Sequence, residues 1–269
     1  MSKRNSIILI CAFVFIGGII GGIYWKYTVD SSRPAPVVLH EVKIMIPEGW
    51  DQFTIQDYLK KQELDAAGFI SAVVKGDTQG VSAFIFDGKP EKSSFEGYLF
   101  PDTYFVYREN SGDQLLRKML DNFEQKITQE MQEKIIQSGM TFYEVLTLAS
   151  IIEKEVATPT DRRLVAGVFL RRLADEYRLE SDATINYITR KHTTRPTAQD
   201  LANESRYNSY KYPGLPPGPI SNPGLDAILA VIEPTASDYY FFLNTPEGKV
   251  EYSVTYEEHL QKKYKYYSQ

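Results

Sequence analysis

An α+β fold behind one apolar N-terminal span is what this sequence predicts, on three observations. Helical and strand-like segments segregate along the chain, with no repeating βαβ unit. Residues 7–25 (IILICAFVFIGGIIGGIYW) form a single uncharged apolar run ahead of all of them. The one cysteine, Cys11, lies inside that run, so the remainder must hold together by its hydrophobic core, without a disulfide and without a thiol nucleophile or ligand.

The apolar run is long enough to cross a bilayer, since 19 residues make ~28 Å of helix against a hydrocarbon core of ~30 Å. Ile23-Tyr24-Trp25 follows the glycines, so no small-residue cleavage site is present and an uncleaved anchor is expected. Lys3 and Arg4 precede it, which puts residues 1–6 in the cytoplasm and the rest outside the membrane. Residues 26–40, with Ser-Ser-Arg-Pro-Ala-Pro at their centre, read as an extended tether. Beyond it the balance of 35 acidic and 30 basic residues, net −5, argues against a polyanion such as nucleic acid as partner. An aromatic fraction of 13%, with 19 tyrosines, suits sugar rings as well as a core.

Two globular parts are predicted, residues 41–92 and 93–269. The first opens with a strand over residues 41–46 that puts Val42, Ile44 and Ile46 on one face. Thr54 and Asp57 cap a helix to Lys61, and Asp65 starts another toward Val74, making a small β-α-α module. An aromatic turn and strand follow over residues 96–106, then one long amphipathic helix over residues 113–138. Thr141 and Glu144 form a capping box, and Thr158-Pro159 ends the helix it starts. Further helices are read over residues 161–177, from Ser181, from Thr197, and from Asn222 to Ile232 with Asn222 as cap and Pro223 at its first position. The stretch Gly214-Leu215-Pro216-Pro217-Gly218-Pro219 allows neither helix nor interior strand and makes a stiff loop. A hairpin over residues 239–254 and a last helix from Thr255 complete the chain.

Glu153 draws attention inside the capping-box helix. At about 100° per residue it lies above Leu146 and beside Ala149 and Ser150, on the flank of the stripe Val145, Ala149, Ile152, Val156. A half-buried carboxyl has a raised pKa, which general-acid cleavage of an acetal requires. Read from position alone, a solvent-facing helix former beside Lys154 stands equally open. Glu155 points about 200° away, so the two glutamates cannot act across one bond. The three histidines, His40, His192 and His259, show no His-x-x-x-His spacing, and no phosphate-binding glycine loop occurs, so neither a metal nor a cofactor is expected.

Six strings in register, PEGW at 47–50, EGYLFPDTY at 96–104, ASIIEKE at 149–155, SDAT at 181–184, YNSY at 207–210 and GLPPGPI at 214–220, resemble the MltG (YceG-like) endolytic murein transglycosylases of bacteria. The resemblance spans nearly the whole chain. It implies a LysM-like module at 41–92, a catalytic domain at 93–269, and Glu153 as the catalytic acid. It further implies peptidoglycan strands as substrate, the cytoplasmic membrane as anchor and cell-wall synthases as neighbours. Glu153 would protonate the glycosidic oxygen between N-acetylmuramic acid and N-acetylglucosamine, then take the proton of the muramoyl C6 hydroxyl as it closes a 1,6-anhydro ring. Asp182, Asn208 and Asn222 are the candidates for orienting the sugar or Glu153, and Tyr98 is a further candidate for substrate binding. Three have a local alternative, Asp182 as a first-turn acid, Asn208 as a turn residue and Asn222 as a helix cap, and most of the tyrosines are expected to be packing and hairpin residues. A two-carboxylate muramidase, with Asp182 as second acid, and a membrane-tethered peptidoglycan-binding scaffold are the other functions this sequence allows.

Overall fold

The computed structural model describes residues 18–26, 39–76, 78–191, 193 and 195–267. The chain divides into two units, residues 1–39 and 40–269. Within the first, residues 18–26 are helical with exposed side chains. Residues 7–17, where most of the expected span lies, are outside the described residues. Among the described residues no single helix is long and apolar enough to cross a membrane.

The second unit is α+β, as predicted, with two small antiparallel sheets set among ten α-helices in the described residues. Strand β1 (Glu41–Met45) pairs with β2 (Thr103–Tyr107), Glu41 opposite Tyr107 and Met45 opposite Thr103. Between them run α1 (Gln52–Lys61) and α2 (Ala66–Lys75). The expected boundary at residue 92 therefore falls inside a β-α-α-β unit whose second strand comes after it. One hydrophobic core runs from Ile44 and Ile55 of this unit through Phe123 and Phe142 to Val231.

Local chemistry corrects several expected boundaries. The cap of α1 is Asp51, whose carboxylate accepts the Thr54 amide at 2.7 Å, so Thr54 is the capped residue. The expected long helix is two, α3 (Ser111–Lys126) and α4 (Gln129–Ser138), because Ile127 turns extended and Thr128 caps a new start by accepting from the Met131 amide. Helix α5 (Phe142–Glu155) begins on the predicted capping box, with Thr141 and Glu144 each accepting the other's backbone amide at 3.2 and 2.8 Å. It is the central helix, buried on most of its circumference from Phe142 to Ile152. Helices α6 (Pro159–Ala174), α7 (Asp182–Thr189) and α8 (Ala198–Leu201) follow. Helix α9 (Leu225–Ile232) is capped by Gly224, two residues later than predicted. Strands β3 (Phe241–Asn244) and β4 (Val250–Ser253) form the hairpin, and α10 (Tyr256–Tyr267) packs on it.

Asn222 has a larger role than a cap. Its side chain is fully buried; Oδ1 accepts the amides of Gly97 and Leu99 at 2.8 and 2.9 Å, while Nδ2 donates to the Trp50 carbonyl and to Glu96 at 2.9 and 2.8 Å. It thereby ties the proline-rich loop to the aromatic turn and to the β1–α1 connection. Gly97, at φ +90, is the residue that permits this contact, since a Cβ there would stand 2.5 Å from the Pro219 ring.

Glu96 is the acid at the centre of that knot. Burial pushes its carboxyl up to about 8, and the Asp51 charge pushes the same way, against the Gln52 amide and Asn222, which favour the ionised form. The native state thus keeps a proton that the unfolded chain releases near 4.5. Its contribution to stability is complete below 4.5 and is lost as pH rises toward 8, with a slope of up to ~1.4 kcal/mol per pH unit. Urea-denaturation midpoints should fall between pH 5 and pH 8, and Glu96→Gln should flatten that fall; equal slopes in the two proteins would refute it.

Candidate active site

The last turn of α5 carries two glutamates, and they diverge. Glu153 turns toward α6 and α9, where Arg162 Nη2 meets its Oε1 at 2.6 Å and the Gly224 amide donates to its Oε2 at 3.0 Å. Only 5% of the side chain is exposed, matching the half-buried expectation in direction and exceeding it in degree. Burial pushes its pKa up; the Gly224 amide and the Arg162 guanidinium oppose that. Arg162 is itself buried, donates to the Val156 carbonyl, and has Glu48 and Asp226 within 3.7 and 3.9 Å. Glu153 is therefore one partner of an enclosed ion pair joining α5, α6, α9 and the residue 47–50 turn. It does not line the large cavity of this unit.

Glu155 does. A cavity of about 1060 Å³ opens beside it, walled by α7 with Asp182, by Tyr210, by β3 with Asn244, and by α10 with His259. The Ser181 hydroxyl donates to the Glu155 carboxylate, and Asn244 Nδ2 holds the backbone carbonyl of the same residue at 3.0 Å. Burial, with the Asp182 charge adding to it, lifts the Glu155 carboxyl to about 7, while the Ser181 hydroxyl and the Arg172 charge pull it down. A carboxyl poised near neutrality in an open cavity is equipped to give a proton and take one back.

The expected substrate residues separate in the same way. Asp182 lines the cavity, its Oδ1 accepting from the Tyr210 hydroxyl at 2.6 Å. Asn208 is fully buried and spent on backbone: Nδ2 donates to the carbonyls of Leu201 and Asn203 at 3.0 and 2.8 Å, and Oδ1 accepts the Tyr210 amide at 3.0 Å. It fixes the turn that presents Tyr210 and has no group left for a sugar. Tyr98 is enclosed among Phe86, Phe95, Phe123 and Tyr143, with 0% exposure, and is a core residue. Asn222 is the buried tie described above. Of the other residues lining the cavity, sequence reasoning set Glu155 aside as pointing away from Glu153 and did not single out Tyr210 or Asn244. For Glu155 a signal was present: it is the last residue of α5, where an anion faces the negative end of the helix dipole and its charge is disfavoured.

The model of the YceG-like family matches residues 29–265. The chain belongs to the YceG-like family. Among relatives of this family, a Bacillus subtilis (strain 168) protein named endolytic murein transglycosylase is 35% identical over 215 residues, 78% of this chain and 59% of the relative. A Streptococcus pneumoniae (strain D39) protein of the same name is 35% identical over 238 residues, 80% of this chain and 43% of the relative. This YceG-like chain thus spans about half the length of those two relatives. The crystal structure of a yceG-like protein from Listeria monocytogenes superposes with a TM-score of 0.68 at 34% identity, covering 87% of this chain and 78% of that one.

Proposed function

We propose that this chain is an endolytic lytic transglycosylase of peptidoglycan, with Glu155 in the acid–base role that the sequence suggested for Glu153. The enclosed carboxyl of Glu155, raised to about 7 on the wall of the 1060 Å³ cavity, carries the reading. The name shared by its relatives supports it.

In this reading a glycan strand lies along the cavity. Protonated Glu155 donates to the oxygen between N-acetylmuramic acid and N-acetylglucosamine, the C1–O bond breaks, and the glucosamine side leaves as an alcohol. Positive charge develops on the muramoyl ring. The Glu155 carboxylate then takes the proton of the C6 hydroxyl of that ring as the oxygen closes on C1, leaving a 1,6-anhydro end and a reprotonated acid. A nucleophile already on the sugar supplies the proximity that other glycosidases obtain from a second carboxylate or a held water. Cleavage within a strand ends its elongation. Residues 7–25 anchor the chain in the cytoplasmic membrane with the N-terminus inside, the β-α-α-β unit serves as a LysM-like module, and cell-wall synthases are its neighbours.

Mass spectrometry of purified strands after digestion tests the reaction: internal fragments ending in 1,6-anhydromuramic acid are expected. Asp182 on the same wall favours one competing reading, a two-carboxylate muramidase, which would give reducing ends. Intact strands would indicate a binding protein. The pH profile gives a second test. Because the first step needs Glu155 protonated, kcat/KM should fall as pH rises through about 7. Asp182→Asn removes a charge that raises Glu155, so it should move this alkaline limb to lower pH; an unmoved limb would count against the assignment.

A further inference from the structure

Two polar strings, SDAT at 181–184 and YNSY at 207–210, pack against each other beside Glu155. Asp182 and Tyr210 line the cavity, whereas Ser181, Thr184 and Ser209 are buried and do not. Those three residues close a ring. The Ser181 amide donates to Ser209 Oγ at 2.9 Å, the Thr184 hydroxyl donates to the Ser181 carbonyl at 2.8 Å, and the hydroxyl oxygens of Ser209 and Thr184 stand 2.9 Å apart. With the Thr184 hydrogen committed to the carbonyl, Ser209 is the donor across that last gap. Both backbone groups of Ser181 are thus clamped, and its own hydroxyl is left over.

Ser181 is the N-cap residue of α7, a position where a serine hydroxyl ordinarily accepts an amide of the first turn. Here it makes no cap bond and donates to Glu155 Oε1 instead. A favoured local contact given up in this way marks a functional demand. We propose that Ser181, clamped by Ser209 and Thr184, is a positioning residue that holds Oε1 of Glu155 as an acceptor and so confines the transferred proton to Oε2. The inference rests on Glu155 as the acid–base group. Oε2 gives its proton to the glycosidic oxygen as the C1–O bond breaks, Ser181 steadies the carboxylate so formed, and Oε2 takes the proton of the C6 hydroxyl as the ring closes. Without the Ser181 hydroxyl the acid should be weaker and should stay protonated to higher pH. The other groups facing Glu155 keep their charges in such a variant: Asp182 and Tyr210, Arg172 and Glu180, and Arg195, His259 and Lys263 across the cavity.

Two readouts on the full chain in detergent test this: the pH profile of strand cleavage, and the titration of the Glu155 carboxyl by NMR of carboxyl-labelled glutamate, its signal identified by its absence in Glu155→Gln. With Ser181→Ala, kcat at its plateau should fall about tenfold with KM little changed. The alkaline limb and the NMR midpoint should both rise by about one pH unit, the worth of a hydrogen bond to a charged group. Ser209→Ala should move all three the same way by less, and Ser181→Thr, which keeps the hydroxyl, should restore them. A loss of kcat in Ser181→Ala with an unmoved midpoint is what a merely structural serine would give, and it would overturn the inference. A midpoint that Ser181→Thr leaves as high as alanine does would overturn it too. Cleavage that survives Glu155→Gln, with the midpoint shifts intact, would sink the acid–base assignment of Glu155 alone.

Discussion

Glu155→Gln should lower the rate of strand cleavage by about a thousandfold or more, because the same carboxyl serves as acid in one step and base in the next. The amide is nearly isosteric and can still accept from the Ser181 hydroxyl, so the thermal midpoint should stay close to that of the unsubstituted chain. Glu153→Gln should do the reverse. It removes the carboxylate that Arg162 holds at 2.6 Å and leaves a buried guanidinium short of a counter-charge. The cost is roughly 3 kcal/mol, the low end for breaking a buried pair, because Glu48 and Asp226 remain at 3.7 and 3.9 Å. Cleavage should persist within about tenfold at temperatures where the protein stays folded. Measuring turnover and melting side by side for both variants decides the assignment. A stable, inactive Glu153→Gln beside an active Glu155→Gln would return the acid–base role to Glu153.

That contrast shows what was legible in the sequence. The capping box, the stop at Thr158-Pro159 and the apolar stripe of α5 are local signals, and the helix they describe is the one observed. Helical periodicity gave the angle of each glutamate relative to that stripe. It could not say what lies on the opposite side. Glu155 is covered there by Ser181 and Asp182 at the start of α7, by Asn244 of β3 and by the cavity wall of α10, all remote in sequence. The same limit applies to Asn208 and Asn222, whose turn and cap chemistry looked local while their partners are backbone groups of other segments. The break between α3 and α4 had a readable sign in Thr128 ahead of Glu130, masked by an apolar stripe that continues in phase through Ile127 and Met131.

The largest loss of stability is expected from Asn222→Ala. The change orphans the buried amides of Gly97 and Leu99 and removes a donor from Glu96, and each buried group left without a partner costs about 1–3 kcal/mol. The Trp50 carbonyl is spared, since it also accepts the Asn222 backbone amide at 2.9 Å. A total of about 3–5 kcal/mol is a large share of the stability of an ordinary domain. Urea denaturation at pH 7 measures it, and a loss under about 1 kcal/mol would mean water enters and replaces the amide. Asn222→Asp sharpens the test. It keeps the acceptor for the two amides, and because Glu96 already holds a proton at pH 7 the new carboxylate can accept that proton where Asn222 donated, so its loss should be smaller than that of the alanine variant.

The pairing of β1 with β2 has a mechanical meaning. Tension on the chain ahead of β1 meets the fold first at His40, whose carbonyl accepts the Arg108 amide, and passes from there into Glu41 and along the strand. The hydrogen bonds joining β1 to β2 lie across a pull along the strand, so they bear the load together and must shear as a set. The next link is the Ile46 amide on the Asp102 carbonyl, beside the buried knot of Asn222 and Glu96. A pull on this end of the chain would therefore be resisted first at the sheet, before it reaches the tie that Asn222 makes between the proline-rich loop and the aromatic turn.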